Sequence, residues 1–295
     1  MEDNIINDDN ENQNEGDKFL REEFKRTEVM PDEEKIKKKK KIIIILIVIG
    51  ILLIVTAITL ILVFTLKKKK QTDDIQILPP LIMNSTSGNH THTIIFMPGF
   101  GNQPEDFLNI FVNKTKFSKK NDTTIIILRS PYTYVTRLHS KNYSWFDIYK
   151  NPLTDFSDLN ITELKTTSVK VLEKVINNEV NILNGDYSKI ILGGHSQGAM
   201  ISLNQAYTSN KIYGGVYAFS GILPPGDISD DKRKMKAWIG YGDIDDVISP
   251  SFINKTLSRI AHFEGVEIHV YPNHRHYIKT KEAFDAAEFL DKIIK

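Results

Sequence analysis

The chain has 295 residues, 38 Lys and Arg against 37 Asp and Glu, a net charge of +1, and no cysteine. This length predicts one domain with additions. The missing cysteine excludes disulfides, thiolate metal sites, a cysteine nucleophile and palmitoyl anchoring, and no nucleic-acid partner is expected.

The near-zero balance hides a segregated charge pattern. Residues 1–16 are acidic and Asn-rich with few apolar side chains, a composition that does not order itself. Residues 1–41 are expected to form a disordered, cytosolic tail. Residues 42–66 then run for 25 positions without a charge, interrupted only by Gly50, Thr56, Thr59 and Thr65. That is long enough to cross about 30 Å of hydrocarbon as a helix. A signal peptide would start nearer the N-terminus and be shorter, so an uncleaved signal-anchor is expected, crossing once.

Lys35 and Lys37–Lys41 flank one end of this run and Lys67–Lys70 the other, which favours an inside N-terminus by a small margin. Asn-x-Ser/Thr sequons begin at Asn84, Asn89, Asn113, Asn121, Asn142, Asn160 and Asn254, all after the run and none before it. Both patterns predict a type II protein whose main domain is lumenal or extracellular and glycosylated. Residues 67–92, polar and containing Pro79-Pro80, read as a linker, and residues 93–295 as the folded domain.

Within that domain, apolar runs at 93–97, 123–128, 189–192, 215–219, 236–240 and 266–271 predict strands. Helical spacing predicts helices over 160–183, 251–263 and 281–294. Unbroken apolar strands alternating with helices predict an α/β class with a mostly parallel sheet covered on both faces. In such a sheet chemistry gathers at the carboxyl ends of the strands, and here four of those ends carry reactive or turn-forming residues.

The central one is Gly194-His195-Ser196-Gln197-Gly198, a G-x-S-x-G sequence between a strand and a helix. A serine at such a turn takes a strained backbone conformation, and its flanking glycines allow the close approach. The Gln197 N–H then points at an oxyanion. After the first strand, Pro98-Gly99-Phe100-Gly101-Asn102 offers the Phe100 N–H as a second donor. After the 236–240 strand, Asp243, Asp245 and Asp246 offer a carboxylate to orient a histidine. After the last strand, His274 and His276 compete for the role of general base. A metal site built from those histidines and acids is a rival reading that leaves Ser196 without a role.

Longer stretches carry a resemblance. Residues 190–199, Ile-Ile-Leu-Gly-Gly-His-Ser-Gln-Gly-Ala, resemble the elbow of the phospholipase/carboxylesterase family of α/β-hydrolases, and specifically of acyl-protein thioesterases. Tyr143-Ser-Trp-Phe-Asp-Ile148 resembles that family's Ser-Trp-Phe-Asp loop, and 214–224 its Ser-Gly-x-Leu-Pro segment. Residues 242–247 resemble its Gly-x-x-Asp-x-x-Val segment, and 271–276 its Tyr-x-Gly-x-x-His segment. Pro98 and Asn102 stand where the family usually has His and Asp, Ala199 where a third glycine is usual, and Asn273 in place of a glycine.

The resemblance implies an α/β-hydrolase fold; the transmembrane helix expected before it comes from the apolar run alone and departs from the family, whose well-known members are soluble. It implies a triad of Ser196, Asp245 and His276, with oxyanion donors Phe100 and Gln197, and no cofactor or metal. Trp145, Phe146 and Leu223 are candidates to line an acyl pocket. The expected substrates are acylated lipids, small esters or lipidated proteins, cleaved as carboxylic esters or thioesters through an acyl-enzyme. A catalytically inactive binding or adaptor protein on the same fold, and a protein whose business is its tail, are the alternatives.

Overall fold

The computed structural model describes residues 33–73 and 78–295. Most of the tail expected to be disordered therefore lies outside the described residues. Two units are present, residues 1–71 and 72–295.

In the first unit, α1 spans Glu33–Asp73. It begins before the apolar run and continues through Lys67–Lys70, so residues 33–41 are helical rather than tail. Lysines have good helix propensity and extend a helix that the aliphatic run has nucleated. Ile36–Val63 is long and apolar enough to cross a membrane, and none of it is buried in the protein. Its apolar residues face all directions, unlike the one-sided stripe of a helix lying on a core.

The second unit is built on a seven-stranded sheet. Its strands are β1 (Leu81–Met83), β2 (His92–Met97), β3 (Thr123–Ile127), β6 (Ile190–His195), β7 (Gly215–Phe219), β8 (Ala237–Gly242) and β9 (Val266–Tyr271). Their spatial order is β1-β3-β2-β6-β7-β8-β9, all parallel except the β1–β3 pair. Strand β1 falls in the stretch read as linker, and the sheet therefore starts earlier than residue 93. Three residues paired along one edge carry too little pattern to be recognised. A separate hairpin, β4 (Tyr132–Val135) with β5 (Ser140–Tyr143), was also not expected. Only Val135 of its eight residues is buried.

Period-2 alternation decides what each strand covers. Ile95, Met97, Ile126, Leu192, Val216, Ala218, Ile239 and Tyr241 point to one face. There they meet α2 (Val169–Ile182), α3 (Gln197–Thr208) and α4 (Pro250–Leu257). Ile94, Phe96, Ile125, Ile127, Ile191, Tyr217, Phe219 and Trp238 point to the other, against Phe289 and Leu290 of α5 (Thr280–Ile293). Helix α3 is buried from Gln197 to Tyr207 because it crosses the middle of the sheet. The chain leaves β2 outward to β3 and returns on the opposite side as β6. This reversal puts the topological switch point at the carboxyl ends of β2 and β6, where an open α/β sheet places its ligand.

Candidate active site

Ser196 is the first residue past β6 and caps α3. Its backbone sits at φ 54° and ψ −117°, a conformation that L-residues rarely adopt. The flanking glycines make the turn possible. A Cβ on Gly194 would lie 2.3 Å from the Gly198 carbonyl carbon, and one on Gly198 would lie 1.9 Å from Met97 O. The Ser196 N–H donates to Phe219 O at 2.9 Å, tying the turn to β7.

His276 arrives from the loop after β9 and Asp245 from the loop after β8. His276 Nε2 stands 2.8 Å from Ser196 Oγ, and His276 Nδ1 stands 2.7 Å from Asp245 Oδ2. The second Asp245 oxygen accepts the N–H groups of Val247 at 2.9 Å and Ile248 at 2.8 Å. Burial by itself would raise the Asp245 carboxyl. The bond and charge of His276, together with those two N–H groups, outweigh it and hold the group below its ordinary value. A carboxylate so held remains charged and keeps the imidazole turned with Nε2 toward the serine.

The two late histidines differ in position. His274 is fully buried and points away from the serine, with Nε2 3.0 Å from Glu282 Oε2. His195 is buried beside the nucleophile, its ring centre 5.1 Å from that of His276. Burial, reinforced by His276, lowers His195 to about 3. It is therefore neutral at working pH. Among the described residues, no group of three or more His, Asp or Glu side chains is placed to hold a metal ion.

Pro98–Gly101 runs directly against the serine: a Cβ on Gly99 would stand 3.1 Å from Ser196 Cβ. Phe100 is half-buried on this loop, with the Arg137 guanidinium carbon 5.6 Å from its ring centre. Gln197 opens α3, whose leading N–H groups have no partner within the helix. The loop is held although Pro98 and Asn102 differ from the family's usual residues. Pro98 O accepts the Trp145 Nε1–H at 2.9 Å, and Asn102 N–H closes a turn on Gly99 O at 3.2 Å.

Trp145, Phe146 and Leu223 are 2%, 0% and 0% exposed, so in this structure they are core residues with no open face. Apolar side chains near a site carry the same signature whether they line a pocket or back it. The Gln197 side chain was missed. Its amide donates to Ser144 Oγ at 3.1 Å and Phe146 O at 2.8 Å, and its Oε1 accepts the Trp145 N–H at 3.0 Å. Ser168 Oγ holds the Trp145 carbonyl from the far side. The elbow and the Ser144–Asp147 loop are thereby joined. The one available signal is a polar residue heading the mostly apolar stretch Ala199-Met-Ile-Ser-Leu203.

The phospholipase/carboxylesterase family profile matches residues 81–294. An acyl-protein thioesterase 1 of Debaryomyces hansenii is 28% identical over 236 residues, covering 75% of this chain and 99% of that protein. One of Mycosarcoma maydis is 27% identical over 237 residues, covering 75% and 99%. Among solved structures, SOBER1 of Arabidopsis thaliana superposes with a TM-score of 0.63 at 20% identity, covering 69% of this chain and 99% of that one. Acyl-protein thioesterase 2 of Zea mays gives 0.57 at 17% identity, covering 74% and 99%. The second unit accordingly has the α/β-hydrolase fold, and the chain belongs to the phospholipase/carboxylesterase family.

Proposed function

We propose that this protein is a membrane-anchored serine hydrolase that cleaves carboxylic esters or thioesters of acylated lipids or lipidated proteins. The observation that carries the reading is the bonded series Ser196 Oγ, His276, Asp245, with steps of 2.8 and 2.7 Å. His276 Nε2 takes the Ser196 proton as Oγ attacks the carbonyl carbon. Asp245 stabilises the imidazolium that forms. The N–H groups of Phe100 and Gln197 receive the oxyanion, each lowering the barrier by roughly 3 kcal/mol. His276 then gives its proton to the leaving alcohol or thiol. Water, deprotonated by the same nitrogen, attacks the acyl-enzyme; the bond to Ser196 Oγ breaks, the acid leaves, and His276 returns the proton to Oγ.

A fluorophosphonate probe tests this, because it reacts with a serine that a working base has activated. Wild type is expected to label and Ser196→Ala not to. An unlabelled but folded wild type would favour the inactive binding protein instead.

The anchor reading rests on α1, and the type II orientation on the flanking lysines and the sequons. Asn84, Asn89, Asn113, Asn121 and Asn254 are exposed, whereas Asn142 and Asn160 are half-buried. Endoglycosidase treatment of protein from a native host is expected to increase gel mobility. An unchanged mobility would place the hydrolase domain on the cytosolic side.

A further inference from the structure

Behind the triad lies a second histidine–carboxylate pair that the hydrolytic steps do not use. His274 Nε2 is 3.0 Å from Glu282 Oε2, and both side chains are 0% exposed. The pair sits where three elements meet. Glu282 lies in the first turn of α5, and its Oε2 also accepts the Lys279 N–H at 3.3 Å. Its other oxygen rests against β8, where a Cβ on Gly240 would come within 2.9 Å of Oε1.

His274 belongs to the loop that carries His276, and its backbone is bonded to the loop that carries Asp245. Its N–H donates to Asp243 Oδ1 at 3.3 Å and its carbonyl accepts the Ile244 N–H at 3.2 Å. The two loops approach so closely that a Cβ on Gly242 would lie 1.9 Å from His274 O. The neighbours Asn273, Arg275 and Tyr277 are exposed. His274 is thus the deep anchor of a segment that leaves β9 and has no strand to hold it.

We propose that His274 and Glu282 are positioning residues: a buried clamp that fixes the base loop and the acid loop against α5 and so sets the Asp245–His276–Ser196 geometry. The inference rests on the serine-hydrolase reading given above. Misplacement of a catalytic group by about 1 Å costs around a hundredfold in rate, and the clamp is a buried contact that restrains both loops, beside the exposed Arg275–Asp246 ion pair that also joins them.

The electrostatics agree with the geometry. Burial foremost, then the charges of Asp245 and Asp285, raises the Glu282 carboxyl to about 8 against the N–H and ammonium of Lys279. Burial and Lys279 lower His274, opposed by the Tyr277 backbone, Asp245 and Asp243. Both partners therefore meet as neutral groups. A carboxyl whose folded value lies above its ordinary 4.5 supports the fold fully below 4.5, and that support is lost as pH rises through about 8. Above that pH the clamp holds a buried carboxylate facing the charge of Asp245.

The test uses the full chain in mild detergent. It reads p-nitrophenyl ester turnover and normalises it to the fraction of enzyme that a fluorophosphonate labels to completion. Glu282→Gln, which preserves the hydrogen bonds, is expected to keep kcat within about threefold of wild type and to remove the decline in kcat above pH 8. His274→Leu and Glu282→Leu are expected to lower kcat by about 10- to 100-fold with KM nearly unchanged. His274→Leu combined with Asp245→Asn is expected to lose less than the product of the two single losses, because both changes act on one Asp245–His276–Ser196 geometry. Fully additive losses, or an unchanged kcat per labelled site in the leucine variants, would overturn the clamp. If the leucine variants do not fold, the Glu282→Gln profile decides, and an upper limb identical to wild type overturns it. A wild type that does not label removes the serine-hydrolase reading and the clamp together, whereas a labelled wild type with indifferent variants removes the clamp alone.

Discussion

Replacing Gln197 by alanine asks whether the elbow and the Ser144–Asp147 loop are one mechanical unit. The backbone N–H that would serve the oxyanion is untouched by the change. Three side-chain bonds are lost, but they do not count equally. The Ser144 hydroxyl and the Phe146 carbonyl still hold each other at 2.7 Å. The Trp145 N–H loses Gln197 Oε1, the acceptor it meets at 3.0 Å, and Trp145 is 2% exposed. One orphaned buried donor costs about 1–3 kcal/mol, and the void left by the side chain adds roughly 1 kcal/mol. The sum is about 2–4 kcal/mol, and at about 2–4 °C per kcal/mol for a domain of this size the melting temperature falls by about 5–15 °C. Scanning fluorimetry of the full chain reads that shift, and ester turnover at 25 °C reads the accompanying loss of geometry. Gln197→Glu is expected to be destabilised at least as much, because it loses both donors and buries a charge. A shift below about 2 °C with unchanged kcat/KM would show that the amide holds nothing, and the argument that it joins the two segments would fail.

Three further outcomes follow from the same geometry. Asp245→Asn keeps the shape but offers His276 an amide. It is expected to reduce kcat by about 10³- to 10⁴-fold with little change in melting temperature; ester turnover checks the first and thermal unfolding the second. His195 is held near 3 against an ordinary 6.5, so its neutral form supports the fold above pH 6.5 and that support is lost as pH falls toward 3. Urea unfolding at pH 7 and pH 5 is expected to show a steeper loss in wild type than in His195→Phe, and equal slopes would contradict the assignment. Gly198→Ala places a Cβ 1.9 Å from Met97 O, a clash between two backbones with no side chain to yield. It is expected to cost more than about 3 kcal/mol, or to prevent folding, as read by circular dichroism and the yield of labelled enzyme.

The parts of the fold that were legible are those with buried strands. Strands β2, β3 and β6 to β8 are largely apolar because helices cover both sheet faces, whereas β9, at the edge, is half-exposed and alternates Val266, Ile268 and Val270 with Glu267 and His269. Strand β1 and the β4–β5 hairpin escaped because an edge and an exposed hairpin need no such pattern; Tyr132 and Tyr134 are 58% and 53% exposed. The expected 160–183 helix divides into a turn, a wider π-type turn and α2, with Asn160 capping the first by accepting the Glu163 N–H at 3.0 Å. Ser196 was legible because the elbow demands glycine at fixed offsets, a constraint that acts within five consecutive residues.

The proposed acid and base carry no such local constraint. Asp243, Asp245 and Asp246 are chemically alike, and so are His274 and His276. What separates them is which one faces a serine about 50 to 80 residues away, a property of the sheet order and not of the loop's own residues. Only the resemblance to a family could choose between them in advance. The side chains that hold the chosen pair in place are harder still to foresee. Gln197 and Glu282 are polar residues at positions that a helical pattern assigns to the core, and pattern reading treats them as errors or caps. In the folded chain each lies within hydrogen-bond reach of a segment that carries or adjoins the reacting groups. A buried polar residue that breaks the apolar pattern of a helix next to a motif is therefore where the supporting contacts of such a site should be sought.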